Sequence, residues 1–281
     1  MTQRRDDWNT AQTRHVEAAG TRLAYRRLGP EAGLPVVMLN HWGANLDNFD
    51  PPIVMGLAAD RPVYAMSYRG IGASGGEPPL TVAAMAADMV AAILALGLEQ
   101  VDLIGFSLGG FVVQQILLDT PDLVRRAILA GTGPAGGVGI EKVGSVSWSL
   151  IIKGLLTFRD PKTYLFFTAS MQSRSAAKAF LNRLKMRKAD RDKTVGLSAF
   201  ARQLKAIEAW GRQAPQPLET IRRPVLVANG DHDIMVPTEN SRELARRISN
   251  ADLVLYPDAG HGGIFQYHEA FLEKVRAFLA A

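Results

Sequence analysis

The chain is predicted to form an α/β domain: a mostly parallel sheet with flanking helices, an antiparallel hairpin at the N-terminal edge and a helical insertion late in the chain. Three observations predict it. From Leu34 onward, short apolar runs alternate with longer segments of helical period, the pattern of parallel strands joined by helices. With 281 residues, 47% hydrophobic and 21% charged, the chain is long enough to bury a large core. The alternation then breaks once, over residues 134–215, where only helical patterns are found.

Taken in order, HVEA and RLAYRR around Ala19 and Gly20 read as a hairpin at the sheet edge. The strand candidates that follow are VVML (36–39), VYAM (63–66), VDLIGF (101–106), AILA (127–130), VLVAN (225–229) and LVLY (253–256). Between strands, Thr81 caps a helix that carries Val82, Met85, Met89, Ile93 and Leu96 on one face and ends at Gly97. The last helix presents Phe271, Leu272, Val275, Phe278 and Leu279 as a stripe for the sheet. In the strandless region, Phe200, Leu204 and Ile207 share a helix face, and aromatic residues are concentrated. The expected division is residues 1–133 as the first part of the core, 134–214 as a helical cap inserted after the sixth strand, and 215–281 as the second part of the core.

Composition excludes several function classes. The absence of cysteine removes disulfides, thiolate metal sites and cysteine nucleophiles. The paired arginines near the N-terminus are followed by polar and acidic residues rather than the apolar stretch of an export signal, so a frayed or surface-packed leader is expected. No segment reaches the length of a membrane span, and a soluble, cytoplasmic protein is expected. A net charge of +5 invites a nucleic-acid reading. Its arginine pairs instead flank apolar segments, and the densest basic run, 183–193, is interleaved with Asp190 and Asp192, the signature of a solvated face. The expected partner is a small-molecule substrate; neither nucleic acid nor a cofactor or metal is expected.

The sequence Gly105-Phe106-Ser107-Leu108-Gly109-Gly110 follows the strand VDLI and opens the helical segment FVVQQILL. A sharp strand-to-helix turn of this kind lifts a serine hydroxyl above the sheet, and small residues beside it let backbones pass closely. The amides of Ser107 and Leu108 then lie at a helix N-terminus, where negative charge is favoured. An alkyl hydroxyl is a poor nucleophile, so it needs a base and a group that fixes the base's tautomer. On such an elbow the acid and then the histidine follow the serine in the chain. Of five histidines, His261 and His268 lie downstream of every credible acid. His261 sits in a loop leaving the final strand, whereas His268 opens the last helix, where a surface or capping role is expected. For the acid, VLVAN runs into a loop offering Asp231 and Asp233, and the loop after the preceding strand has no carboxylate before Glu141.

The elbow, the G-x-x-D-x-x-x-P stretch at 230–237, the Gly-His at 260–261 and the loop Arg69-Gly70-Ile71-Gly72-Ala73-Ser74 together resemble the α/β-hydrolase superfamily. The likeness is strongest to its small cap-bearing bacterial members, which include esterases, enol-lactonases and cofactor-free haloperoxidases. It extends from about His15 to Ala281. The resemblance implies a catalytic triad of Ser107, Asp233 and His261, with Asp233 rather than Asp231 as the acid. It also places an oxyanion hole at the backbone amides of Leu108 and Trp42. Here the sequence departs from the family, which commonly has His-Gly after its third strand; this chain has Leu39-Asn40-His41-Trp42-Gly43. His41 is expected to be a hydrogen-bonded structural residue in a supporting role.

The implied activity is hydrolysis of a small, apolar ester or lactone through an acyl-enzyme. Perhydrolysis or haloperoxidase chemistry, carbon–carbon bond hydrolysis and lyase chemistry use the same triad, and a non-catalytic binding protein shares the fold. A serine where a haloalkane dehalogenase needs aspartate argues against that activity. The cap is expected to line a cleft with Trp148, Phe166, Phe167 or Trp210, and the basic run 183–193 to face solvent.

Overall fold

The computed structural model describes residues 7–281; the paired arginines of the leader lie outside the described residues. Eight strands form one sheet: β1 (Arg14–Ala18), β2 (Thr21–Leu28), β3 (Val36–Leu39), β4 (Val63–Met66), β5 (Val101–Phe106), β6 (Val124–Ala130), β7 (Val225–Gly230) and β8 (Ala251–Tyr256). Their order is β1-β2-β4-β3-β5-β6-β7-β8. The β1–β2 and β2–β4 pairs are antiparallel and the rest parallel. The predicted edge hairpin and parallel core are therefore both present.

Period-2 burial explains why the sheet needs helices on both sides. Val101, Leu103, Val225 and Val227 enter one core, while Ile104, Phe106, Leu226 and Ala228 enter the other. Helices α1 (Pro51–Ala58) and α10 (His268–Ala280) cover the second face, and α2 (Val82–Ala95), α3 (Leu108–Asp119) and α8 (Glu239–Arg247) the first. Thr81 caps α2 by accepting from the Ala84 amide at 3.2 Å. Residues 108–117 of α3 are all buried, as a helix wrapped on every side must be. The chain leaves β3 for β4 on one side and returns with β5 on the other. The loops after β3 and β5 therefore part at the carboxyl edge, where open α/β sheets form crevices.

Between β6 and β7 lie α4 (Val143–Leu156), α5 (Lys162–Leu165), α6 (Met171–Leu184) and α7 (Leu197–Arg212), and no strand; α9 (Gly263–Gln266) is a short turn before α10. Two sequence expectations are corrected here. The run 183–193 is only partly a solvated face: its lysines are exposed, but Arg183, Arg187 and Arg191 reach buried acids. Asp47, buried in the core, accepts from Arg26 at 2.8 Å, from Arg191 at 3.2 Å and from the Asp192 amide at 3.0 Å. Arg187 lies 3.7 Å from the same carboxylate and, almost fully buried, donates to the carbonyls of Trp8 and Ala11. Arg183 forks onto Asp50 at 2.8 and 2.7 Å. The alternating charges mislead because, beside the Arg187–Asp190 pair within the run, the acids that meet its arginines come from the core. The second correction concerns the leader: Trp8 is a core residue, packed edge-on against Phe49 and under the Arg26 guanidinium.

Removing the Asp47 charge strands the fully buried Arg26 without a counter-ion, which costs about 3–5 kcal/mol. Asp47→Asn should accordingly lower the urea midpoint without changing the denaturant slope, measured by circular dichroism.

Candidate active site

Ser107 occupies a backbone conformation, φ 55° and ψ −115°, that an L-residue adopts only under constraint. The constraint is close backbone passage. A side chain at Gly105 would collide with the backbone of Gly109, one at Gly109 with the Leu39 carbonyl, and one at Gly110 with Thr132. Ser107 itself is tied down by its amide, bonded to the Ala130 carbonyl at 2.8 Å, and by its carbonyl, which accepts from Thr132 Oγ1 at 2.9 Å.

Asp233 and His261 meet as expected. Asp233 Oδ2 lies 2.8 Å from His261 Nδ1, and both side chains are buried. The carboxylate's other oxygen accepts from the amides of Met235 at 2.8 Å and Val236 at 3.0 Å. Because the carboxylate accepts, Nδ1 donates and Nε2 carries the free lone pair. Asp231 is occupied elsewhere: its Oδ1 pairs with His232 at 2.5 Å and accepts from the Ala259 amide at 3.3 Å. That carboxylate holds the His232 imidazole above its ordinary pKa. His268 is half-buried at the start of α10 and does not cap it.

The loop after β3 is held by cap residues. Gly43 donates its amide to Gln203 Oε1 at 2.9 Å, and Trp42 Nε1 donates to the Phe200 carbonyl at 2.8 Å while its ring stacks on Phe200 at 4.1 Å. A side chain on Gly43 would strike the Phe200 ring. Among the described residues, no protein acceptor meets the amides of Trp42 or Leu108. His41 is buried, and its Nδ1 lies 2.8 Å from the Trp42 carbonyl, to which it donates. Burial, then the nearby Lys162 ammonium, lower its pKa to about 3.

Ser107, His261, His41 and Trp42 line one cavity of about 220 Å³, walled largely by apolar side chains from α3 and the cap. Of the four cap aromatics expected there, Phe166 is present. Trp210 instead stacks on Phe111 in the core, Phe167 packs on Phe180, and Trp148 lines a neighbouring, more polar cavity. Phe200, Lys162, Asp160 and Ser147 were not foreseen at the site. Gln203 left a trace in the sequence, as an amide on the same helix face as Phe200 and Ile207.

The family described as alpha/beta hydrolase fold matches residues 35–266, most of the chain. The chain belongs to the α/β-hydrolase fold family. Among solved α/β-hydrolases, the alpha/beta hydrolase fold protein from Chitinophaga pinensis is 39% identical, with a TM-score of 0.92 over 98% of this chain and 99% of that one. Among curated relatives, proline iminopeptidase PfmaB of Pestalotiopsis fici is 27% identical over 94% of this chain and 98% of its own. The putative carbamate hydrolase RutD of a Caulobacter species is 27% identical over 90% and 93%. Among the described residues, this α/β-hydrolase has no helix long and apolar enough to cross a membrane.

A folded-state pKa of about 3 for His41, against 6.5 unfolded, means that the unfolded chain binds a proton the native one refuses between these values. Stability from this group is complete above pH 6.5 and is lost as pH falls toward 3, by at most about 1.4 kcal/mol per pH unit. His41→Phe should flatten the pH dependence of the unfolding free energy between pH 6.5 and 4.5. In the wild type, the His41 imidazole should remain neutral over that range by NMR.

Proposed function

We propose that this α/β-hydrolase is a serine hydrolase that cleaves small, apolar esters or lactones through an acyl-enzyme on Ser107. The observation that carries the reading is the buried Asp233–His261 hydrogen bond facing the same cavity as a serine on a strained elbow. Ser107 Oγ attacks the substrate carbonyl carbon as its proton passes to His261 Nε2. The negative charge that develops on the carbonyl oxygen falls to the free amides of Leu108 and Trp42. Backbone donors of this kind are already oriented when the charge appears and need no reorganisation. As the intermediate collapses, the alkoxide leaves with the proton from His261. Water, deprotonated by the same nitrogen, then attacks the acyl-enzyme, releasing the carboxylic acid and restoring Ser107. Asp233 keeps Nδ1 protonated throughout and stabilises the imidazolium.

The relatives bear different names, an iminopeptidase and a carbamate hydrolase, so the substrate class is argued from the cavity. A volume of about 220 Å³ lies below the usual range for drug-sized ligands. Its largely apolar wall, with Phe166, Phe200, Ile207 and Val236, gains about 0.8 kcal/mol per methylene buried.

Ser107→Ala should abolish labelling by a fluorophosphonate probe and lower turnover by about three decades or more. Asp233→Asn should lower turnover by about four decades through the wrong tautomer, with Asp231→Asn remaining close to wild type; kinetics on p-nitrophenyl esters ranks the two. Phe166→Ala and Phe200→Ala should move the preferred acyl length upward by two or more carbons, read from kcat/KM over a graded ester series. An unchanged optimum in both would remove the cavity from its assigned role.

A further inference from the structure

Helix α4 is apolar on two opposite sides. Its inner face turns Val143, Ser147 and Ile151 to the cavity that holds Ser107. Its outer face carries Trp148, Ile152, Leu155 and Leu156 at i, i+4, i+7 and i+8, a single stripe, and these side chains are 48%, 52%, 67% and 76% exposed. Apolar residues scattered singly over a surface need no explanation, but a stripe of four marks a face made for contact. The turn that ends the helix is a second, independent oddity. The Arg159 amide bonds back to the Gly154 carbonyl at 2.9 Å, closing a left-handed stop at Phe158 with φ 52°. Glycine is the usual residue at such a stop, and a bulky side chain there is strained. The Phe158 side chain is nevertheless 98% exposed, so packing within the protein does not offset that strain.

The charges around this face select its partner. Residues 142–159 include Lys142, Lys153 and Arg159 and no acid. The nearest acids are each engaged: Glu141 lies 3.9 Å from Lys142, Asp160 3.7 Å from Lys162, and Glu208, packed beside Gly144, 3.4 Å from Arg212. Lys153 and Arg159 are exposed and meet no acid among the described residues; Lys153 lies over the Tyr164 ring at 4.7 Å. Two copies of the chain joined here would set these cations against their own counterparts, because a twofold interface pairs a patch with itself. An anionic lipid surface meets the same charges favourably. We propose that the outer face of α4, with Phe158 at its end, docks on such a surface, its apolar side chains entering the acyl boundary and its basic ones remaining among the headgroups. At 14 residues the helix is too short to span a bilayer, so it lies along one. The docking stands apart from the serine-hydrolase reading. Where both hold, an apolar substrate dissolved in the lipid lies about one helix diameter, roughly 10 Å, from the cavity.

The test mixes the full chain with vesicles of phosphatidylcholine alone or with about a third phosphatidylglycerol, and reads the bound fraction by co-sedimentation. Binding to the anionic vesicles should exceed that to the neutral ones by about tenfold or more, and should fall by a similar factor between about 50 and about 500 mM salt. Trp8, Trp42 and Trp210 are buried, so a blue shift of tryptophan fluorescence on binding should come from Trp148 and vanish in Trp148→Phe. Leu155→Ser combined with Leu156→Ser should weaken binding by about tenfold or more, and Lys153→Gln combined with Arg159→Gln should remove most of the preference for anionic vesicles. Phe158→Gly separates docking from folding: with the strain relieved, the urea midpoint should stay at or above that of the wild type while binding falls by about threefold or more. Ser107→Ala should bind as the wild type does. An inactive protein that docks therefore leaves this proposal standing, and an active one that does not dock overturns it alone. Absence of binding to the anionic vesicles at low salt, or binding that none of these substitutions alters, overturns it as well. A concentration-dependent dimer, seen by sedimentation equilibrium in protein that binds no vesicles and dissolved by the Leu155 and Leu156 substitutions, assigns the face to a second copy instead.

Discussion

At the carboxyl edge of the sheet, the glycines of the turn after β5 pass against each other, against the backbone ending β3 and against the Thr132 side chain, leaving no room for side chains of their own. Gly105 and Gly109 face each other across the turn, Gly109 presses on the end of β3, and Gly110 lies against Thr132 after β6. Everything at the site is referenced to that crossing. It forces Ser107 into its positive φ, points the first turn of α3 at the cavity, and brings the Leu108 amide beside the loop that carries Trp42. A second close passage, Gly230 against the backbone of Ala259 and Gly260, brings the acid loop to the histidine loop. The strain at Ser107 persists because the surrounding chain leaves no relaxed alternative.

The cap is part of this framework rather than a cover laid on top. Its glutamine and phenylalanine on α7 hold Gly43 and Trp42, and the Phe166 carbonyl accepts from the Gly262 amide at 2.8 Å. Thr168 and Ser170 donate to Asp258 at 2.8 and 2.5 Å, which keeps that carboxyl below its ordinary pKa. On the far side the buried Asp47 gathers three arginines, and Asp192 accepts from the Leu46 amide at 2.9 Å. The loop that carries Trp42 and the loop that carries His261 are thus both fastened to cap residues. Ion pairs placed here position more than they stabilise, since a buried pair recovers little beyond its own desolvation.

Strand positions and the elbow were legible in the sequence because they depend on local period and on glycine, which act within a few residues. From the residues alone the pairing of His261 with a carboxylate was legible only as far as Asp231 or Asp233; the family resemblance pointed to Asp233. What separates Asp233 from Asp231 is which of them the loop turns inward, decided by amides at residues 235 and 236 and by His232 outside. The basic run and Trp8 were misread for a related reason. A charge pattern shows what a segment carries, not what it faces, and the neutralising acids Asp47 and Asp50 lie more than a hundred positions earlier in the chain. The cap aromatics divided between core and cavity in the same way: Trp210 and Phe166 are equally apolar, and only the packing around Phe111 and His41 distinguishes their duties.

Met235 and Val236 have two tasks assigned to different atoms. Their main-chain N–H groups grip Asp233, and their side chains form part of the cavity wall. Every amino acid except proline carries that N–H, so the grip does not depend on which side chain is present. The wall beside the acid can therefore be exchanged, residue for residue, while the geometry of the pair it supports is inherited unchanged. Descent therefore has two positions here at which the shape of the cavity can drift without disturbing the Asp233–His261 pair.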